Sequence, residues 1–259
     1  MNILDRIVEN KKKELVEKKQ STSIDMLAKS SYYERKTISL SESISFDNAS
    51  GIIAEFKRSS PSKGVINNTV SPLQVAKAYQ AAGASAISIL TDVDFFGGSD
   101  DDILSVRDYI DIPILRKEFI IDPFQIHEAK SLGADIILLI AACLAPNEVR
   151  AFSALARSLS LEVLLELHDE DEIGHICDEV NFVGINNRSL KTFDVNIQRS
   201  LDMAKKIPSA KLKIAESGID NPATISLFRE NGYAGFLIGE NFMKTADPGD
   251  ALSNFIKSI

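Results

Sequence analysis

The sequence predicts an α/β protein closed into a (β/α)8 TIM barrel, on three observations. Eight short apolar runs recur along the chain, segments of helical periodicity separate most of them, and polar residues stand immediately after most of the runs. The length of 259 residues suits one such barrel. Residues 1–259 are therefore expected to form a single barrel domain, of which about 1–48 is an N-terminal helical extension.

The runs lie at 51–54, 86–90, 112–115, 134–140, 161–165, 182–185, 212–215 and 235–238. Several are apolar almost without interruption, as parallel strands covered on both faces should be. The intervening segments, such as the one opening at Pro72 and the one opening at Asn221, repeat their apolar residues every three to four positions. A doubly wound open sheet is the alternative. Its usual glycine-rich fingerprint is missing after the first run, where Glu55-Phe56-Lys57-Arg58 stands instead.

In the extension, Ile3, Leu4, Ile7, Val8, Leu15 and Val16 form one apolar stripe at helical spacing. Such a helix packs on the barrel, as a plug or oligomer contact or as a lid over one end.

Composition bounds the function. The chain is 44% hydrophobic and 25% charged, as globular proteins are, and its net charge of −8 argues against a sequence-blind nucleic-acid binder. The longest apolar run, 136–145, is too short to cross a membrane. The first residues lack the apolar core of a secretory signal, so a cytoplasmic location is expected. Cys143 and Cys177 lack C-x-x-C spacing, and His127, His168 and His175 form no metal-ligand pattern. No metal or redox cofactor is expected, and the cysteines and histidines are assigned structural or surface roles.

Barrel enzymes place their chemistry at the C-terminal ends of the strands. Glu55 and Lys57 follow the first run, Lys117 the third, Glu166 the fifth, Asn186 the sixth, and Glu216 with Ser217 the seventh. Side chains alternate along a strand, so Glu55 and Lys57 share a face that Phe56 does not. Charged groups at such ends pair with each other or with a ligand, because an unpaired buried ion is strongly disfavoured. Gly218 and Gly239 follow the seventh and eighth runs, where barrel enzymes often bind phosphate through backbone N–H groups.

The stretches Glu55-Phe56-Lys57-Arg58-Ser59-Ser60-Pro61-Ser62-Lys63-Gly64, Phe96-Gly97-Gly98-Ser99, Leu115-Arg116-Lys117-Glu118-Phe119-Ile120, Gly184-Ile185-Asn186-Asn187-Arg188 and Ala215-Glu216-Ser217-Gly218-Ile219 resemble the signature segments of indole-3-glycerol-phosphate synthases, in the same order. Glu118 stands where many members have Asp, and Glu240 follows Gly239 where some have Ser.

The resemblance implies a carboxy-lyase of tryptophan biosynthesis that needs neither metal nor cofactor. Its substrate, 1-(2-carboxyphenylamino)-1-deoxyribulose 5-phosphate, undergoes decarboxylating ring closure and dehydration to indole-3-glycerol phosphate. By resemblance Lys117 donates a proton to the ketone oxygen, Glu166 and Lys57 serve the dehydration, and Glu55 and Asn186 orient the lysines and the substrate. Substrate contacts are expected from Ser60, Phe119, Arg188, Leu190, Glu216 and Ser217, with Leu138 as a further wall of the aryl slot. Phosphate contacts are expected from Ser60, Gly218, Gly239 and Glu240. The loop carrying Ser60 and Ser62 is suited to close over the ligand. The partner is a phosphorylated small molecule, neither nucleic acid nor membrane, bound by a monomer or weak oligomer. Two rivals are a phosphoribosylanthranilate isomerase, whose first strand end would carry a cysteine, and a ligand-binding paralogue without activity.

Overall fold

The computed structural model describes residues 3–189 and 194–259. Eight strands form the wall: β1 (Ile52–Phe56), β2 (Ala86–Leu90), β3 (Ile114–Lys117), β4 (Ile136–Ile140), β5 (Glu162–Leu167), β6 (Phe182–Asn186), β7 (Leu212–Glu216) and β8 (Tyr233–Ile238). All neighbours are parallel, and β1 pairs with both β2 and β8, which closes the barrel. Helices join consecutive strands at most crossings, for example Pro72–Ala82 between β1 and β2 and Pro222–Glu230 between β7 and β8. Each of these two has proline in its first turn, and Ser71 and Asn221 accept hydrogen bonds from the helices' free N–H groups. The β5–β6 crossing is the exception, a 3-10 turn over Glu170–His175.

Alternation along the strands sorts side chains into two layers. Ile53, Leu115, Leu164, Phe182, Ile214 and Leu237 fill the barrel interior, while Ile52, Ala54, Phe56, Ile114, Val163 and Leu165 face the surrounding helices. The same alternation places Glu55 on the side of Ile53, Lys117 with Leu115, Glu166 with Leu164 and Glu216 with Ile214. Arg116 faces outward between Asp100 and Glu128, which accept its guanidinium hydrogen bonds at 2.7 and 2.6 Å.

Several strands run beyond their apolar stretches. Glu55 pairs in register with Ser88, Lys117 with Leu90, Glu166 with Gly184 and Asn186 with Glu216. The charged residues thus belong to the hydrogen-bonded wall itself, which fixes their positions more firmly than a loop would.

The N-terminal region acts at both ends of the barrel. Helix α1 (Ile3–Ser21) lies across the C-terminal mouth, where Ile3, Leu4 and Ile7 face the cavity. The chain then descends, and Leu40, 0% exposed, enters the interior cluster at the opposite end. Glu162, at the start of β5, holds this plug by accepting from Leu40 N at 2.7 Å and Ser39 Oγ at 2.8 Å. The expected stripe on α1 is only partly buried. Val16 is 60% exposed, and Lys11 takes a buried place instead, because acidic side chains from the barrel meet it there.

Candidate active site

The interior-facing tips of β1, β3, β5, β6 and β7 meet in a cavity of about 480 Å³ at the C-terminal mouth. Lys117 Nζ occupies its floor, 2.9 Å from Glu166 Oε2 and 3.1 Å from Glu216 Oε2. Asn186 Nδ2 donates to Glu166 Oε1 at 3.0 Å, and Lys57 Nζ donates to Glu55 Oε1 at 2.6 Å. Glycine makes two of these placements possible. A Cβ at Gly184 would lie 2.1 Å from Glu216 Oε1, and one at Gly239 would lie 2.5 Å from Glu55 Oε1.

The electrostatics follow from burial and charge order. Burial opposes the ammonium of Lys117, but Glu166, Glu216 and Glu55 outweigh it and hold its pKa above the ordinary lysine value. Burial also opposes the Glu166 carboxylate, and there Lys117, His168 and Asn186 prevail, keeping it well below the ordinary glutamate value. Glu216 goes the other way. Its burial, together with the Glu166 charge, overcomes Lys117 and pushes it up to about 8. Two carboxylates around one ammonium therefore divide into a charged member and a proton-holding member. Glu216 Oε1 is buried with no hydrogen-bond partner among the described residues.

One end of the cavity is apolar. Leu90, Phe96, Phe119, Leu138 and Ile140 line it together with α1, and the rings of Phe96 and Phe119 lie 5.9 Å apart at 35°. The other end is formed by the turns after β7 and β8. Ser217 and Gly218 have φ of 67° and 68°, so two successive residues adopt the left-handed conformation, and Gly239 and Glu240 stand opposite. Glu240 lies 3.7 Å from Lys63 Nζ, and Lys244 reaches the same end.

Of the residues singled out in the sequence, Glu55, Lys57, Ser60, Lys117, Phe119, Leu138, Glu166, Asn186, Arg188, Glu216, Ser217, Gly218, Gly239 and Glu240 all line this cavity. Leu190 lies outside the described residues. Arg188 N donates to Asn186 Oδ1 at 3.0 Å, joining the turn after β6 to the strand end.

Of the structural or surface roles expected for the histidines, His168 takes a buried one beside the site. It is only 4% exposed, and its Nε2 is 3.0 Å from Glu166 Oε1, close enough for an ion pair but outside hydrogen-bonding geometry. Its place two residues after Glu166 was the available signal. Phe96 and Lys244 were not assigned roles. Lys244, one helical turn beyond Glu240, could have been found from that spacing. Burial and then the Glu166 charge push the Cys143 thiol up to about 12, which disfavours the thiolate.

Comparison with known proteins identifies the family. The family model described as indole-3-glycerol phosphate synthase matches residues 4–255. The chain belongs to the indole-3-glycerol phosphate synthase family. The indole-3-glycerol phosphate synthase of Bacteroides thetaiotaomicron is 45% identical over 258 residues, covering 100% of this chain and 99% of the relative. That of Bordetella pertussis is 44% identical, covering 80% and 79%. Among solved structures, a chain of the tryptophan synthase a2b2 complex from Pyrococcus furiosus superposes with a TM-score of 0.60. It covers 81% of this chain and 97% of that one at 16% identity, a likeness of fold alone.

Proposed function

We propose that the cavity carries out the reaction of the indole-3-glycerol phosphate synthase family with Lys117 as proton donor. The substrate is 1-(2-carboxyphenylamino)-1-deoxyribulose 5-phosphate. The aryl carbon bearing the carboxylate attacks the ketone carbon, carbon dioxide leaves, and water is eliminated to give indole-3-glycerol phosphate.

One observation carries the assignment: the Lys117 ammonium lies between Glu166 and Glu216 at the junction of the apolar and glycine-lined ends. With the aryl ring against the wall formed by Phe96 and Phe119 and the phosphate against Ser217, Gly218 and Gly239, the ketone sits between the two ends, above Lys117. Ring closure develops negative charge on the ketone oxygen. An ammonium fixed there stabilises that charge and supplies its proton.

Elimination of water then needs a base and an acid. Glu166, held as a carboxylate, takes the proton from the ring-closed intermediate. Lys57 protonates the departing hydroxyl and attracts the aryl carboxylate, while Glu55 fixes the direction of its Nζ. Asn186 holds Glu166 in place. The Lys63–Glu240 pair and Lys244 supply charged contacts at the phosphate end.

The phosphorylated small molecule is the partner, and the working form is a monomer or weak oligomer in the cytoplasm. A net charge of −8 and two unbridged cysteines support that reading. No described helix is long and apolar enough to cross a membrane. The direct test is to incubate the purified protein with the substrate and follow indole fluorescence together with carbon dioxide release. Both signals should rise in equal amounts. Tight substrate binding without either would favour the non-catalytic reading.

A further inference from the structure

Lys11 lies on α1 above the barrel mouth, only 4% exposed, and is not among the residues lining the cavity. Its Nζ is 3.1 Å from Asp92 Oδ2 and 3.1 Å from Glu118 Oε1, and it donates to Glu14 Oε2 at 2.7 Å. Asp92 and Glu118 belong to different crossings, one just after β2 and the other just after β3. Each holds the backbone of a segment that reaches the cavity. Asp92 Oδ1 accepts from Phe95 N at 2.9 Å and so caps the turn Val93–Phe96. Glu118 Oε1 accepts from Phe119 N at 2.8 Å, and its Oε2 accepts from Thr91 Oγ1 at 2.8 Å. The segments thus held carry Phe96 and Phe119, the tilted pair of touching rings that lines the apolar end.

We propose that Lys11 is a positioning residue for the aryl slot: one ammonium clamps two buried carboxylates and thereby sets the spacing of Phe96 and Phe119. The inference rests on the reading that these rings receive the aryl group. Without the ammonium, two buried anions face each other, and each relaxes by moving toward water or by taking up a proton. Either change loosens a backbone contact beside a ring wall. The phosphate end, built on β7 and β8, has no part in this network. Lys11 therefore acts on recognition of one half of the substrate.

The test uses two competitive probes, 2-aminobenzoate for the aryl end and inorganic phosphate for the opposite end. Inhibition constants are measured on folded enzyme, well below its melting temperature. In Lys11→Met, the constant for 2-aminobenzoate should rise about fivefold or more, in the range of ordinary coupling between neighbouring sites, while that for phosphate stays unchanged. Phe96→Leu should add less weakening in the Lys11→Met background than in the parent, because the two residues act on one structure.

Asp92→Asn keeps the shape and an oxygen able to cap Phe95. It should show the same selectivity in milder form, and it decides the question if Lys11→Met does not fold. Equal weakening of both probes, or of neither, in the folded variants overturns the proposal. If Phe96→Leu and Phe119→Leu leave 2-aminobenzoate binding at the parental level, the assignment of the aryl slot itself fails. If they weaken it and Lys11→Met does not, only the link to Lys11 fails.

Discussion

Lys117 Nζ lies 2.9 Å from Glu166 Oε2 although 48 residues separate the two in the chain, because the ends of β3 and β5 deliver them to the same face of the barrel mouth. The pair explains why a buried lysine stays protonated and a buried glutamate stays charged. Each opposes the desolvation of the other, and Asn186 satisfies the remaining glutamate oxygen.

Glu166→Gln keeps the shape of the side chain and its contact with Lys117 but removes the base. Turnover should fall by about 10² to 10⁴, the usual contribution of a positioned acid or base, with a much smaller change in KM. Steady-state kinetics checks this. A rise in KM at parental turnover would remove Glu166 from the chemistry.

Glu216 gives the protein a pH dependence opposite to that of Glu166. Between the ordinary glutamate value of 4.5 and about 8, the folded protein holds a proton at Glu216 that the unfolded chain has lost. Stability from this group therefore declines as pH rises through that window. The lowered Glu166 contributes stability above the ordinary value and loses it only as pH falls below. Glu216→Gln removes the first effect, so the variant should gain stability relative to the parent as pH is raised from 4.5 to about 8. Denaturant unfolding at several pH values measures the difference, and parallel curves would refute the assignment.

Gly184→Ala tests how closely the second carboxylate is packed. The new methyl would press on Glu216 Oε1 from 2.1 Å and drive it from Lys117. A loss of about 1–3 kcal/mol is expected from such overpacking, along with reduced turnover. Gly174→Ala is the matched control, since its Cβ would meet nothing within 4 Å. Thermal unfolding and kinetics of both variants should separate clearly.

Leu40→Ala probes the opposite end. Emptying a fully buried position in the interior cluster should cost about 2–5 kcal/mol in unfolding free energy. The charged groups sit at the other mouth, so turnover of the folded variant should remain near parental. A turnover loss as large as that of Glu166→Gln would show that the plug also controls the site.

Much of this architecture was legible in the letters. The apolar runs located all eight strands, and the residues after them supplied the charged set. The runs stop short of the strand ends because hydrophobicity was the signal. Backbone pairing carries β1 through Glu55 and β3 through Lys117, where the sequence turns polar. Lys11 went unassigned, and burial of His168 was not singled out, for a related reason. A charged or polar residue on an otherwise apolar face reads as exposed until its partners are known, and Asp92, Glu118 and Glu166 come from distant parts of the chain. The N-terminal stripe was only half right for the same cause, with Lys11 taking a buried place while Val16 remained outside.

The central claim is that the Lys117 ammonium protonates the ketone oxygen during ring closure. Its most direct test is the turnover of Lys117→Met on the aryl-amino sugar phosphate, followed by indole fluorescence on protein shown to be folded. The account predicts a fall of about 10² or more, the effect of losing a general acid. Parental turnover in that variant would contradict it.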